Sequence, residues 1–278
     1  MTTHLLLLPM ALLTFARPGN MPDFRANFPN LVQGPEGKEI IEYHPNGHVF
    51  KRYFLNNAEQ INGPYETYYD NGLVNLVANY VCGAVQGASK EFYPSGALHI
   101  SSYYENNLLT GEWEAFYESG QLQYSGQYRN GRRTGEWLAY HQNKQLLSKG
   151  KYKNDLQEGN WIFYHDNGAV KQKGKYEMGL ATGTWQSYHP NEKIREEGNF
   201  MDGLKQGPWQ YFHPNGSQKL KTNFQAGKPH GEALAYDDQG RLLEKAYYEN
   251  GTKQGQHLFF DPEGKVVKTE WYSNGALQ

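Results

Sequence analysis

Residues 159 to 168 read GNWIFYHDNG and gather a tryptophan, a tyrosine, a histidine and an aspartate. Histidine beside a carboxylate is the pairing used in general acid–base catalysis, and the same two side chains are common metal ligands. The grouping recurs along the chain. Tryptophans stand at Trp113, Trp137, Trp161, Trp185 and Trp209, and histidines at His44, His141, His165, His189 and His213. The position after the histidine is acidic at Asp70, Glu118, Asp166 and Asp238 but proline at Pro94, Pro190, Pro214 and Pro262. Exchange of an acid for proline is turn chemistry rather than proton-transfer chemistry. Tyr69, Tyr93 and Tyr117 take the histidine position in other copies, so that position asks for a flat, partly polar ring. In a regular sheet, rings two strands apart stand ~9–10 Å from one another. That is too far to share one ion, whose nitrogen ligands lie ~2 Å from it. The residues contain no G-x-S-x-G or H-E-x-x-H, and the glycines are not arranged as a phosphate loop. No catalytic residue, metal site or cofactor is therefore expected, and the chain reads as a non-enzyme.

The elements that place these residues rest on a strict period. Glycines fall every 24 residues at Gly63, Gly87, Gly111, Gly135, Gly159, Gly183, Gly207, Gly231 and Gly255, with a longer first unit from Lys38. Counting from each anchor, the fifth following residue is aromatic in every unit, as at Tyr140, Tyr164 and Tyr188. The seventeenth is aromatic in the nine later units, as at Tyr128, Tyr152 and Tyr176. The eleventh is aliphatic except at Gln218. Asn-Gly pairs at Asn46, Asn71, Asn167 and Asn215 mark tight hairpin turns, since both residues tolerate positive φ. Each unit thus predicts one β-hairpin, and successive hairpins pair side by side as a meander. The expected fold is all-β, an elongated antiparallel sheet of ten hairpins extending roughly 95 Å. Parity places the rings at the fifth and seventeenth positions on one face as a structural ladder, with the aliphatic position between them. The five tryptophans have the opposite parity, so they either line the other face or lie past a bend, and they are the candidate binding-surface aromatics.

The bulk properties agree. The chain has 278 residues, a formal charge of −2, 31 glycines, 15% aromatic residues and a mean hydropathy of −0.83. Many rings and glycines with few aliphatics suit short strands and turns. The charge excludes a dedicated nucleic-acid binder, which is clearly basic. Cys82 is the single cysteine and reads as a small buried hydrophobe. Residues 1–16 hold the one strongly apolar run, of a length for a signal peptide and too short to span a bilayer. Export to the periplasm or the exterior is the corresponding expectation, and the alternative is a cytoplasmic chain whose apolar N-terminal tail packs on the first repeat. Residues 17–37 carry four prolines and read as an irregular lead-in, with the repeats occupying 38–278. The basic run Arg129–Arg133 reads as a solvated turn, and the sequons at Asn215 and Asn250 as by-products of the Asn-Gly turn.

The pattern G-x-W-x-x-Y-x-x-N-G-x-(L/V)-x-x-x-G-x-Y-x-x-G, clearest at Gly111–Gly131 and Gly159–Gly179, resembles the variant MORN repeat found in bacterial YwqK-type antitoxins. The resemblance implies a hairpin array that works as a scaffold for protein–protein binding, with a toxin as one kind of partner. It carries no catalytic residues with it. A cell-wall or carbohydrate-binding module and a membrane-surface adaptor are the alternative readings. The first unit departs from the pattern with Ile40 for tryptophan, and the last two with Ala233 and His257, as capping units do.

Overall fold

A computed structural model describes residues 37–278. The apolar leader at 1–16 and nearly all of the lead-in at 17–37 lie outside the described residues. Within them the chain forms one antiparallel sheet of 24 strands, and strands adjacent in sequence are adjacent in space. The sixth unit is representative. Its strands Leu156–Tyr164 and Val170–Glu177 are joined by the Asp166–Gly168 turn, and Leu180–Tyr188 of the next unit pairs on the far side. The same hairpin recurs in the eighth unit, Leu204–Phe212 and Gln218–Gln225, despite Gln218.

Two bulges shape every unit. Between the pairs Ser125–Leu138 and Gln127–Thr134 one strand advances two residues and the other four. Gly135 and Glu136 are the surplus, and Gly135 sits at φ 67°. The other interior anchors do the same, with Gly159 at 70° and Gly183 at 64°. That left-handed conformation costs any side chain about 1–2 kcal/mol, which accounts for a glycine every 24 residues. The second bulge is at the tight turn. Ala139 pairs with Ser148 but Tyr140 pairs with Leu146, leaving Leu147 as the extra residue. One extra residue reverses the facing of everything after it.

This second bulge corrects the single-face ladder. Tyr152 lies opposite Gly135 and Trp137 opposite Gly150, so the seventeenth-position rings share a face with the tryptophans. Tyr140, Tyr164 and Tyr188 lie on the other face with the aliphatic row Leu146, Val170 and Ile194. The expected ladder is therefore two ladders, Tyr128, Tyr152 and Tyr176 on one side and Tyr140, Tyr164 and Tyr188 on the other.

The core of this single-layered sheet is an aromatic zipper on the first of these faces. Tyr128, Trp137, Tyr152, Trp161, Tyr176, Trp185, Phe200, Trp209 and Phe224 succeed one another with centroids 5.0–6.1 Å apart and planes crossed at 75–86°. Edge-to-face contact sets the positive rim of one ring against the negative face of the next. The indole N–H groups of Trp161, Trp185 and Trp209 donate to the carbonyls of Lys151, Lys175 and Asn199 at 3.1–3.2 Å. Each indole lies across a glycine of the preceding unit. A Cβ on Gly126, Gly150, Gly174 or Gly198 would come within 2.1–2.3 Å of the ring of Trp137, Trp161, Trp185 or Trp209. Where the tryptophan is lost the glycine is lost with it, since Thr222 pairs with Ala233. In the tenth unit His257 replaces the tryptophan and is held by Glu244 and Lys253.

Candidate binding face

The residues that looked chemical are committed to the turn edge. His141, His165, His189 and His213 donate from Nε2 to the carbonyls of Tyr164, Tyr188, Phe212 and Tyr236, one unit ahead, at 3.0–3.3 Å. A carbonyl only accepts, so Nε2 carries the proton in each of these bonds. Tyr69, Tyr93 and Tyr117 make the same bond with their hydroxyls at 2.7–2.9 Å. This shared task explains why histidine and tyrosine alternate there. The turn asparagines form a parallel ladder. Asn143, Asn167 and Asn191 donate to the carbonyls of Asp166, Pro190 and Pro214, while their Oδ1 atoms accept from their own turns. That bond uses the backbone of the acid-or-proline position, which is why either residue serves.

Four of the five tryptophans are buried in the sheet's core, and for these four the expectation of a binding surface is corrected. Trp137, Trp161, Trp185 and Trp209 are only 8%, 4%, 3% and 2% exposed. Trp113, at the end of the zipper, is half-buried against Trp137 at 5.6 Å. The physical reason for these four is the glycine beneath each ring, which lets the indole lie flat on the sheet and be covered by its neighbours. Cys82 is also corrected. It is exposed, at φ 48°, in the long turn of the second unit.

One polar cluster on the zipper face is paired internally, while the buried indole N–H of Trp137 has no hydrogen-bond partner among the described residues. Between Trp185 and Trp209, Glu196 accepts from buried Ser187 at 3.2 Å and meets Lys205 at 3.3 Å. Lys205 also donates to the Tyr211 hydroxyl at 2.8 Å and lies 3.8 Å from the centroid of Trp209. Burial alone would raise the Glu196 pKa. The Lys205 ammonium, with help from Arg195 and Ser187, outweighs it and holds the carboxyl below the usual range. The cavity here is about 40 Å³, room for water but not for a substrate. A larger open hollow of about 530 Å³ lies at the turn edge beside His189, Arg195 and His213. Both histidines there are held by carbonyls, and Arg195 is held by Ser187 and Glu196.

The opposite face is the open one. It carries the half-buried row Tyr140, Tyr164, Tyr188 and Phe212 and, along the long-turn edge, a row of exposed apolar side chains. Leu156, Leu180 and Leu204 are 47–50% exposed, with Met178 at 72% and Met201 at 61% between them. Leu156 and Leu180 pair with Lys153 and Glu177, which places them on this face. A contiguous apolar stripe rimmed by charge is the usual mark of a docking surface. Neither this row nor its lysine neighbours was singled out from the sequence. The signal was present as leucine recurring 24 residues apart at 156, 180 and 204.

A family model described as MORN repeat variant matches residues 85–106, 109–130, 133–154, 157–178, 181–202 and 229–252. The matched segments begin in each long turn and keep the 24-residue step, passing over the unit that contains Gln218. No curated protein matches the chain. Among solved structures, a GtfA/B complex bound to UDP and GlcNAc is similar at 15% identity and a TM-score of 0.19, over 41% of this chain and 22% of that one. A TcdB2-TccC3-Cdc42 complex is similar at 12% identity and a TM-score of 0.20, over 84% of this chain and 14% of that one. A Tc holotoxin pore from Photorhabdus luminescens is similar at 13% identity and a TM-score of 0.20, over 84% and 17%. The chain spans less than a quarter of the length of these structures, and the overlap is too slight to relate the folds.

Proposed function

The chain belongs to the variant MORN-repeat family, and on that premise we propose that it is a non-catalytic scaffold that binds another protein. The observation that carries the reading is the exposed row Leu156, Met178, Leu180, Met201 and Leu204 along one edge of the open face. Five apolar side chains held in register by the repeat give a flat, pre-ordered surface, which loses little entropy on docking. Methionine adapts its shape to a partner, and the stripe is rimmed by polar residues as interfaces are. MORN-repeat proteins are generally non-catalytic. The resemblance to antitoxins makes a toxin the first partner to try, neutralised by occlusion of its surface.

The test is the triple variant Leu156→Asp/Leu180→Asp/Leu204→Asp, which changes only side chains already half in solvent. Its thermal midpoint should stay within a few degrees of the parent. Capture of a defined partner, such as the product of an adjacent gene, should fall at least about tenfold, a loss of ~1.4 kcal/mol or more. Undiminished capture by the folded variant would remove this row from the interface.

A further inference from the structure

The open face of the fifth and sixth hairpins carries a lattice of lysines. On the strand Leu146–Lys153, Lys149, Lys151 and Lys153 alternate with Gly150 and Tyr152. On Val170–Glu177, Lys173 and Lys175 alternate with Gly174 and Tyr176. All five are exposed. The alternation is enforced by the zipper: glycine and tyrosine must face the tryptophans, so every intervening residue faces outward. Pairing of Lys149 with Leu138 and of Lys173 with Ile162 agrees with the shared face. Arg129 and Arg132, paired with each other in the preceding turn, extend it.

Seven cations on this patch meet four nearby carboxylates, Glu136, Asp155, Glu158 and Glu177, of which Asp155 is held by Arg133, in a chain whose formal charge is −2. Lys149 is 3.0 Å from Glu136 and Lys175 is 3.8 Å from Glu177, both in open solvent, where such pairs contribute little. Lys151 and Lys153 make no ion pair among the described residues.

The geometry points to an acidic, extended polypeptide segment as the occupant of this lattice. The inference rests on the scaffold reading and specifies its partner. Alternate residues of a strand are ~6.8 Å apart, so carboxylates at every second residue of an extended segment fall in step with Lys149, Lys151 and Lys153. The neighbouring lysine column lies two strands away, ~9.6 Å, so a single chain lies between the columns within reach of both. The segment's path leads from the lattice to Leu156, which pairs with Lys153, and on to Leu180 and Met178. An apolar residue at that end of the segment meets the exposed row. The flanks limit the footprint. Glu112 and Glu114 on the preceding hairpin and Glu197 on the next one occupy the same face. They would repel an anionic membrane laid across it, whereas a single chain passes between them.

The experiment uses the full chain and a fluorescein-labelled peptide of alternating Glu and Thr ending in two leucines. A second peptide has Gln for every Glu, and vesicles of phosphatidylcholine and phosphatidylserine form a third arm. Anisotropy should show saturable binding of the Glu peptide, at least about tenfold tighter than the Gln peptide, weakening with salt. The variant Lys151→Glu/Lys173→Glu should lose at least about tenfold, the gentler Lys151→Gln/Lys173→Gln should lose less, and Lys265→Glu in the tenth unit should bind as the parent does. Equal affinity for the two peptides overturns the proposal, as does indifference to the double charge reversal. Vesicle binding that needs the same lysines, without peptide binding, assigns the lattice to membrane instead. If the peptide fails but partner capture still depends on the leucine row, the scaffold reading stands and the acidic occupant falls.

Discussion

Gly174→Ala is expected to lower stability by about 2–3 kcal/mol, against the usual sign for that change. Gly174 does not sit at positive φ, so its backbone accepts alanine. The smaller unfolded-state entropy would then stabilise by about 0.4–1 kcal/mol. The opposing term is larger. A Cβ at Gly174 would stand 2.1 Å from Cδ2 of Trp185. That ring cannot slide away, because Tyr176 and Phe200 flank it with centroids at 5.0 and 5.9 Å. Urea unfolding monitored by far-UV circular dichroism should show a lower midpoint, and the near-UV aromatic signal should change. A midpoint equal to or above the parent's would mean that the indole does not lie on the glycine.

Trp185→Ala carries the other large effect, about 3–5 kcal/mol, because it removes a ring only 3% exposed and leaves Ser187, Glu196 and Lys205 around a void. The loss falls in the middle of a one-dimensional array, so the units on either side should uncouple and the transition should broaden. The double variant Gly174→Ala/Trp185→Ala should cost about 1–2 kcal/mol less than the sum of its parts, since the clash of the first vanishes with the ring of the second. Thr222 opposite Ala233 is the same compensation already present in the chain. Strict additivity in the cycle would separate the two residues and contradict the zipper.

The period, the hairpins and the antiparallel meander were legible in the sequence because each depends on local signals. Glycine returns every 24 residues, Asn-Gly closes the turns and rings recur at set positions. The faces were not legible by parity, because Leu147 and its equivalents add one residue at the turn and reverse the facing of every later side chain in the strand. A non-local signal did exist. Gly126, Gly150, Gly174 and Gly198 each precede a tryptophan by eleven residues, and Thr222 precedes Ala233 by the same step. Small-under-large pairing across two strands places the tryptophans in the core. Cys82 shows the same lesson at a turn. Its equivalents include Asn106, Asn130, Asn154, Asp202, Asn250 and Asn274, residues suited to positive φ, and all of these sit at φ 48–52°. Read in that column it is a turn-tip residue, whereas read alone it is a small hydrophobe. The role of the histidine column in joining one unit to the next was hidden too. Its bond to the next unit's carbonyl depends on the stagger between hairpins, which no single unit reveals.

The central claim is that the tryptophan face is closed and the opposite face is free to bind. Quenching of tryptophan emission by acrylamide and iodide, in a Trp271→Phe variant, addresses it most directly. Trp271 is 56% exposed and would mask the others. With it replaced, Trp113 is the half-buried ring left, and the remaining emission should resist both quenchers until urea unfolds the array. Ready quenching of most of the emission in the folded protein would put the indoles in solvent and contradict the account.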